Sequence, residues 1–273
     1  RSREEQVKVR AKPELFAEHY HQAALFFNSQ TPPEQAHIAA AFRFELSKVT
    51  VPAIRARVVS MLRNASEDLA AAVAEGLNLP LPEAMPHALA LDVQPEVAHS
   101  PALSLQARPG DGSVAGRKVA VLVADGVAGE AVLAVQARLL AAGVVARVVA
   151  PRIGEVQTCD GSVLQADASL ENEPGVLFDA LLLADGAGAV LELAADGHTL
   201  ETVRDQYRHC KTLVALGTGA DLLDMAGVPA ALPSGAADPG ITRTGDASLA
   251  AEALLQGLAR HRHPERETDP PAL

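Results

Sequence analysis

The chain has 273 residues, 48% of them apolar but only 3% aromatic and none Trp, with a formal charge of −11 at neutral pH. That length allows one large or two modest domains with their own cores, and so few aromatics argue against a surface that stacks sugars or bases. Residues 1–80 hold ten Lys/Arg against nine Asp/Glu and the rest hold thirteen against twenty-five, so the acidic remainder disfavours nucleic acid and anionic membrane partners.

The opening RSREEQVKVR is charged and lacks the apolar stretch of a secretory signal. A start at Arg1 rather than Met is what a truncated or processed product would show. Leu25–Val49, LFFNSQTPPEQAHIAAAFRFELSKV, contains a helix with a well-marked beginning. Thr31 can cap it, Pro32 fits a first turn where a missing N–H costs nothing, and Glu34 completes a Thr-x-x-Glu capping box. Ile38, Phe42, Leu46 and Val49 recur at helical spacing as one apolar face. Pro52 opens a second helix with Ile54, Val58, Leu62 and Leu69 inward. Asn64 or Ser66 restarts it as a third, running to a stop at Gly76. The outer face holds Arg43, Lys48, Arg55, Arg57 and Arg63, read as solvated or as contacts to another part of a larger protein.

Residues 80–116 change character, with Pro80, Pro82, Pro86, Pro95, Pro101 and Pro109 punctuating an extended linker. Leu89, Leu91, Leu103 and Leu105 are its expected apolar anchors. From Arg117 the rhythm is strand–helix–strand. Lys118–Ala124, Val144–Ala150, Phe178–Ala184 and Thr212–Gly217 read as buried strands. Glu130–Ala142, Thr199–Cys210, Ala220–Ala226 and Ala247–His261 read as helices. Pro151–Leu164 reads as a hairpin turning at Asp160-Gly161. Continuous apolar strands alternating with helices require a mainly parallel sheet covered on both faces, an α/β three-layer domain over 117–262. The tail from His263 to Leu273 is expected to fray.

The chemistry-bearing residues do not assemble into a site. Asp185-Gly186-Ala187-Gly188 and Leu216-Gly217-Thr218-Gly219 follow core strands and read either as anion cradles of backbone N–H groups or as tight turns. Neither completes G-x-G-x-x-G, since Leu191 and Leu222 hold the last positions, and there is no GxxxxGK[ST]. His209 and Cys210 adjoin, but neighbours on a helix point about 100° apart and cannot share a proton. Cys210 therefore reads as a structural thiol and Cys159 as an inert surface or edge residue. Two cysteines make no disulfide framework, which points to a cytoplasmic setting. Glu18/His21 and Glu34/His37 have the Glu-x-x-His spacing of di-iron bundles, but lack the four long helices and further carboxylates such sites need. His261 and His263 read as helix C-terminal charges. His198 sits in a turn with no partner. No catalytic, cofactor-binding or metal-ligating residue is assigned.

The half from Arg117 resembles the class I glutamine amidotransferase-like fold, a flavodoxin-like sheet. In those enzymes a Cys sits on a strained elbow after a core strand; the matching turn here, Leu216-Gly217-Thr218, has none. Glu130 could match the acidic residue those relatives place beside the thiol, and Thr218 has no evident base. Leu25–Val49 resembles the helical segment that closes the haem domain of monofunctional catalases. PALSLQARPGDGSVAGRKVA (101–120) resembles the connection found in large-subunit catalases. The order helical segment (1–79), linker (80–116), α/β domain (117–262) is that of their C-terminal portion.

The resemblance implies a parent enzyme that disproportionates hydrogen peroxide with haem held by a proximal Tyr. It also implies a haem domain and other subunits, in a homotetramer, as partners. It does not supply the haem residues. The family's iron-ligating Tyr follows an Arg four residues earlier, whereas Phe16 precedes Tyr20 and Val203 precedes Tyr207 at that spacing. The chain is expected to be the back end of an enzyme whose chemistry lies upstream of Arg1. Its role would be oligomer stability and shaping access to haem, with apolar faces around Phe26, Phe27, Phe42 and Phe44 left exposed. A stand-alone module with chaperone-like binding and no catalytic Cys is the alternative.

Overall fold

The computed structural model describes residues 10–12, 14–88, 95–107 and 111–273. The chain divides into two compact units, Arg1–Pro109 and Gly110–Leu273.

The first unit is helical: α1 (His21–Asn28), α2 (Pro32–Ser47), α3 (Pro52–Leu62) and α4 (Glu67–Gly76). Thr31 is extended ahead of α2, and its backbone N–H donates to the Glu34 carboxylate at 2.8 Å. Of the two candidate restarts, Ser66 is the cap: its hydroxyl accepts the Leu69 N–H at 3.2 Å. The face of α2 expected from sequence turns inward, Leu46 fully and Ile38, Phe42 and Val49 in part, onto Val59, Leu69, Ala70 and Val73. Two expectations need correction. The inward face of α3 centres on Val59, and Ile54 lies about 140° round the helix from it, where it is 42% exposed. Phe27 is buried, while Phe26 and Phe44 are exposed.

Gly76 ends α4, yet the left-handed residue that closes the helix is Asn78 (φ +52°). The N–H of Asn78 reaches Glu75 O (3.0 Å) and that of Leu79 reaches Ala74 O (2.9 Å), a Schellman arrangement. Gly76 serves a different purpose: the Arg43 side chain lies where its Cβ would be, with Nε 2.7 Å from that point. Arg43 is thus packed rather than solvated. Arg55 also binds inward, Nε to Val49 O at 2.6 Å, and Arg63 bridges Glu67 (2.9 Å) and Pro82 O (2.7 Å).

Among the described residues, the linker follows this unit through polar contacts. Leu89 and Leu91 lie outside the described residues, and Leu103 and Leu105 are both exposed. Ser60 Oγ donates to Glu83 O (2.6 Å) and Asn64 to Met85 O (2.8 Å). Farther along, the Glu34 carboxylate accepts the Ser104 hydroxyl (2.7 Å) and the N–H groups of Leu105 (3.0 Å) and Gln106 (3.2 Å). Burial alone would raise the pKa of Glu34, but these donors and Thr31 outweigh it and hold the carboxyl at about 2.

The second unit carries a six-stranded sheet, all of whose pairings are parallel. Its strands are β1 (Lys118–Leu122), β2 (Val145–Ala150), β5 (Ala168–Ser169), β6 (Ala180–Leu183), β7 (Thr212–Leu216) and β8 (Ile241–Thr244), in the order β5-β2-β1-β6-β7-β8. Without the two-residue edge strand β5, the order is the doubly wound 2-1-3-4-5 of flavodoxin-like folds. Helices α5 (Gly129–Ala141) and α9 (Ala247–Arg260) pack together. So do α6 (Ala187–Ala195), α7 (Gly197–Arg208) and α8 (Ala220–Met225). The two groups form the outer layers that let β6 be apolar throughout, and β1 and β7 beyond their first residues, Lys118 and Thr212. The expected hairpin is β3 (Gly154–Gln157) with β4 (Val163–Ala166), turning through Asp160-Gly161.

The tail does not fray as expected. His263 and Arg266 are buried, Arg266 in the short helix α10 (Glu265–Thr268). The Arg266 guanidinium pairs with Asp238 (2.7 and 3.1 Å), donates to Lys211 O (2.8 Å) and Tyr207 O (3.1 Å), and lies 4.4 Å from the Tyr207 ring centroid. His263 Nε2 meets the Thr212 hydroxyl at 2.9 Å. Neither histidine expected as a terminal charge is simply that: burial lowers the pKa of His261, and that of His263 to about 4, with Arg266 adding to the latter.

Candidate functional site

Ligands of doubly wound sheets bind beyond the carboxyl ends of the strands, where the strand order reverses. Here that point lies between β1 and β6, and three loops meet there. Asp125-Gly126 follows β1, Asp185-Gly186 follows β6, and Gly217-Thr218-Gly219 follows β7. Several of their backbone donors are already engaged. The N–H of Ala128 reaches Asp185 O (2.8 Å), that of Gly126 reaches Gln157 O (2.7 Å), and the N–H of Gln157 returns to the Asp125 carboxylate (2.8 Å).

The Asp185 carboxylate takes most of what remains. A single oxygen, Oδ1, accepts the N–H of Gly186 (2.8 Å), the N–H of Thr218 (2.9 Å) and the hydroxyl of Thr218 (2.7 Å). The Thr218 hydroxyl in turn accepts from Gly186 N–H at 3.0 Å. The Thr218 hydrogen bond, aided by those backbone donors, lowers the Asp185 pKa against the opposing effect of burial. A cradle suited to an external anion thus encloses an anion of its own chain. Both loops turn tightly around this carboxylate.

The strained position of the elbow is Gly217 (φ +48°), not Thr218. A Cβ there would run into the Asp185 carboxylate, so the space beside Gly217 is already filled. Gly186 (φ +133°) is equally constrained, its Cβ falling 2.8 Å from Val127 Cα. Thr218 is spent on Asp185, and Glu130 is exposed. The role of Asp185 was missed from sequence. Its signal was an Asp at one strand end facing two Gly-containing loops.

The other candidates fall apart in space. Cys210 is buried, and burial, with Glu267 next, pushes its thiol to about 11, so it is not a nucleophile near neutral pH. Cys159 is exposed, its N–H held by Val127 O at 2.9 Å. Glu18 accepts the N–H groups of Tyr20 (2.8 Å) and His21 (3.1 Å), capping α1, and Glu34 holds the linker. His198 follows Asp196, which caps α7 by accepting the His198 N–H at 3.2 Å. Lys211 was not singled out: it is buried, and its ammonium donates to Phe178 O at 2.6 Å. Among the described residues, no group of three or more His, Cys, Asp or Glu is placed to hold a metal ion.

Fold and crevice together define a flavodoxin-like α/β domain whose strand-end loops close around Asp185, preceded by a helical segment. The profile of the family described as the C-terminal domain found in long catalases matches residues 115–268, and that of Catalase-related immune-responsive matches residues 13–77. The chain belongs to the long-catalase C-terminal domain family. It is 38% identical to Catalase C of Rhizobium meliloti (strain 1021), over 93% of this chain and 35% of that protein. It is 36% identical to Catalase HPII of Pseudomonas aeruginosa, over 95% of this chain and 35% of that protein. For Catalase HPII of Mycobacterium avium the identity is 37%, over 94% and 37% respectively. The chain spans about a third of the length of these relatives.

Proposed function

We propose that this chain serves as the C-terminal portion of a haem catalase that converts hydrogen peroxide to water and oxygen, and that it contributes no reacting group. The observation that carries this reading is the crevice. Where a related fold keeps its nucleophile, this one has Gly217, with the Asp185 carboxylate packed against it. The residues present do not fit haem. Tyr207 is buried to 1% exposure with its ring beneath Arg266, and Tyr20 is half-buried beside the rings of His19 and His87. Neither tyrosine has an Arg four residues before it.

The role left to the chain is oligomer support and the shaping of access to haem held elsewhere in the parent. Its helical segment through residue 79 would dock on the haem domain, the linker would follow that segment, and the α/β domain would take in the tail. The exposed Phe26 and Phe44 are suited to such docking. No helix among the described residues is long and apolar enough to cross a membrane, and a cytoplasmic setting is part of the proposal. The test is a haem titration of the chain followed by a peroxide-decay assay. No turnover beyond that of free haem is expected, and turnover by a stoichiometric haem complex would refute the reading.

A further inference from the structure

Five Asp-Gly steps occur in the chain: Asp111-Gly112, Asp125-Gly126, Asp160-Gly161, Asp185-Gly186 and Asp196-Gly197. Each is a candidate for the same self-modification. The glycine amide nitrogen, on giving up its proton to water, bonds to the aspartate Cγ, and a carboxyl oxygen leaves as water. Hydrolysis of the resulting succinimide at the main-chain carbonyl takes a water back and leaves isoaspartate, with the backbone one CH2 longer. Nothing is oxidised or reduced. Glycine favours the step because it has no Cβ to obstruct the ring and its backbone is the most mobile. What separates the five is whether the nitrogen and the carboxyl are free to meet.

Four of them are held. At Asp125 the carboxylate accepts the Gln157 N–H (2.8 Å), and the Gly126 N–H donates to Gln157 O (2.7 Å), so both reacting groups are engaged. At Asp160 the carboxylate accepts from the Thr158 hydroxyl and the Ser162 N–H (2.9 Å), while the Gly161 N–H donates to Thr158 O (3.1 Å). The Thr158 bond, with the Ser162 donors, also brings the Asp160 pKa down to about 2, which leaves little of the protonated carboxyl that loses water most readily. At Asp185 the N–H groups of Gly186 and Thr218 hold one carboxylate oxygen, and Val127 Cα lies 2.8 Å from where a Gly186 Cβ would be, so the backbone has no room to rearrange. Asp196 caps α7 through both oxygens, which accept the His198 N–H (3.2 Å) and the Thr199 hydroxyl (3.0 Å), and cyclisation would remove that cap.

Asp111 is the exception. Its carboxylate has one contact, from the Ser113 N–H at 2.8 Å, and among the described residues the Gly112 N–H has no hydrogen-bond acceptor. Asp111, Gly112 and Ser113 are all exposed and lie in neither helix nor strand. The space around Gly112 is open. Among the described residues, the nearest atom beyond its chain neighbours to a Cβ placed there is Ala259 Cβ, at 3.9 Å.

We propose that Asp111-Gly112 is a site of spontaneous isoaspartate formation in the folded chain, and that the fold suppresses the other four. The second compact unit begins at Gly110, so each conversion lengthens the chain by one backbone atom just past the boundary between the units. This inference does not depend on the peroxide reading.

Ageing the full chain at neutral pH and physiological temperature, beside the same chain unfolded in guanidinium chloride, tests it. Isoaspartate is read by enzymatic methylation of its carboxyl group and placed by peptide mapping. Ageing continues until the unfolded chain carries it at all five steps. In the folded chain Asp111 should dominate, with each other step at least about tenfold lower, because hydrogen bonds there must open first. Asp111→Glu, whose longer side chain closes its ring far more slowly, should remove most of the folded-chain signal while leaving the other four steps reactive in guanidinium. A folded chain that stays unmodified while the unfolded chain converts overturns the proposal. So does conversion at any other step to the level of Asp111, or a folded-chain signal that survives Asp111→Glu.

Discussion

Replacing Glu34 by Gln should release the linker from the helical unit while leaving α2 folded. The Glu34 carboxylate accepts four unshared donors: Thr31 N–H, Ser104 O–H, Leu105 N–H and Gln106 N–H, at 2.7–3.2 Å. The Thr31 hydroxyl lies between this carboxylate (2.9 Å) and the Gln106 side-chain oxygen (2.7 Å), and its one proton serves one of them at a time. Glutamine keeps one acceptor oxygen and turns an NH2 toward the remaining donors, so two of the four bonds are lost and the rest lose their charge assistance. Hydrogen bonds to a charged group contribute about 1.5–3 kcal/mol each, and solvent can replace part of that at a half-buried site. A local loss of about 2–3 kcal/mol follows. At about 1.4 kcal/mol per decade, it should lower hydrogen-exchange protection of the Leu105 and Gln106 amides about 30- to 150-fold. The same release should appear in acid. The folded pKa lies below the ordinary 4.5, at about 2, so the stabilisation is complete above 4.5 and disappears as pH falls through 2. Unchanged protection of both amides in Glu34→Gln would show that the linker path is held by something else.

The buried tail makes stability rise with pH in a definite window. His263 is neutral in the fold down to about pH 4, whereas in the unfolded chain it takes up a proton near 6.5, so unfolding free energy should climb between those values, by about 3 kcal/mol. Urea unfolding across that range should lose this slope in His263→Gln, and a slope that survives would contradict the assignment. Arg266→Ala strands the Asp238 carboxylate, whose side chain is 1% exposed, and should cost about 3–5 kcal/mol in thermal or denaturant unfolding. Arg266→Met with Asp238→Leu should recover a large part, and no recovery would mean that the pair itself, not the stranded charge, sets the cost. Gly217→Ala places a methyl group against Asp185 at a left-handed backbone position. It should destabilise the domain by at least about 1–2 kcal/mol, relieved in part by adding Asp185→Gly. A neutral Gly217→Ala would show that the crevice has room the geometry denies it.

Periodicity made the elements with strong patterns readable. The apolar strands β1, β6 and β7 and the face of α2 appear where spacing put them, because burial on both sides or one side dictates those patterns. Helix α6 was missed because Gly186-Ala187-Gly188 reads as a loop; the glycines are required by backbone approaching backbone, which leaves no trace in hydrophobic spacing. Strand β8, Ile-Thr-Arg-Thr at a half-exposed sheet edge, lacks the apolar run of a central strand. The tail reads as polar and disordered, yet Arg266 and His263 are buried because Asp238 and Thr212, 28 and 51 residues earlier, are there to receive them. Such pairings over long sequence distance are not encoded in local pattern. The candidate site shows the same limit. The absence of a Cys at the elbow was legible, but the partnership of Asp185 with Thr218, 33 residues apart, was not.

The central claim is that the chain belongs to a catalase architecture without carrying its chemistry, and its most direct test is haem binding coupled to peroxide decay. The purified chain, titrated with haem and freed of excess, should show no saturable Soret shift and no peroxide loss above a haem-only control. A stoichiometric complex that consumes peroxide, and that loses the activity in Tyr20→Phe or Tyr207→Phe, would contradict the account.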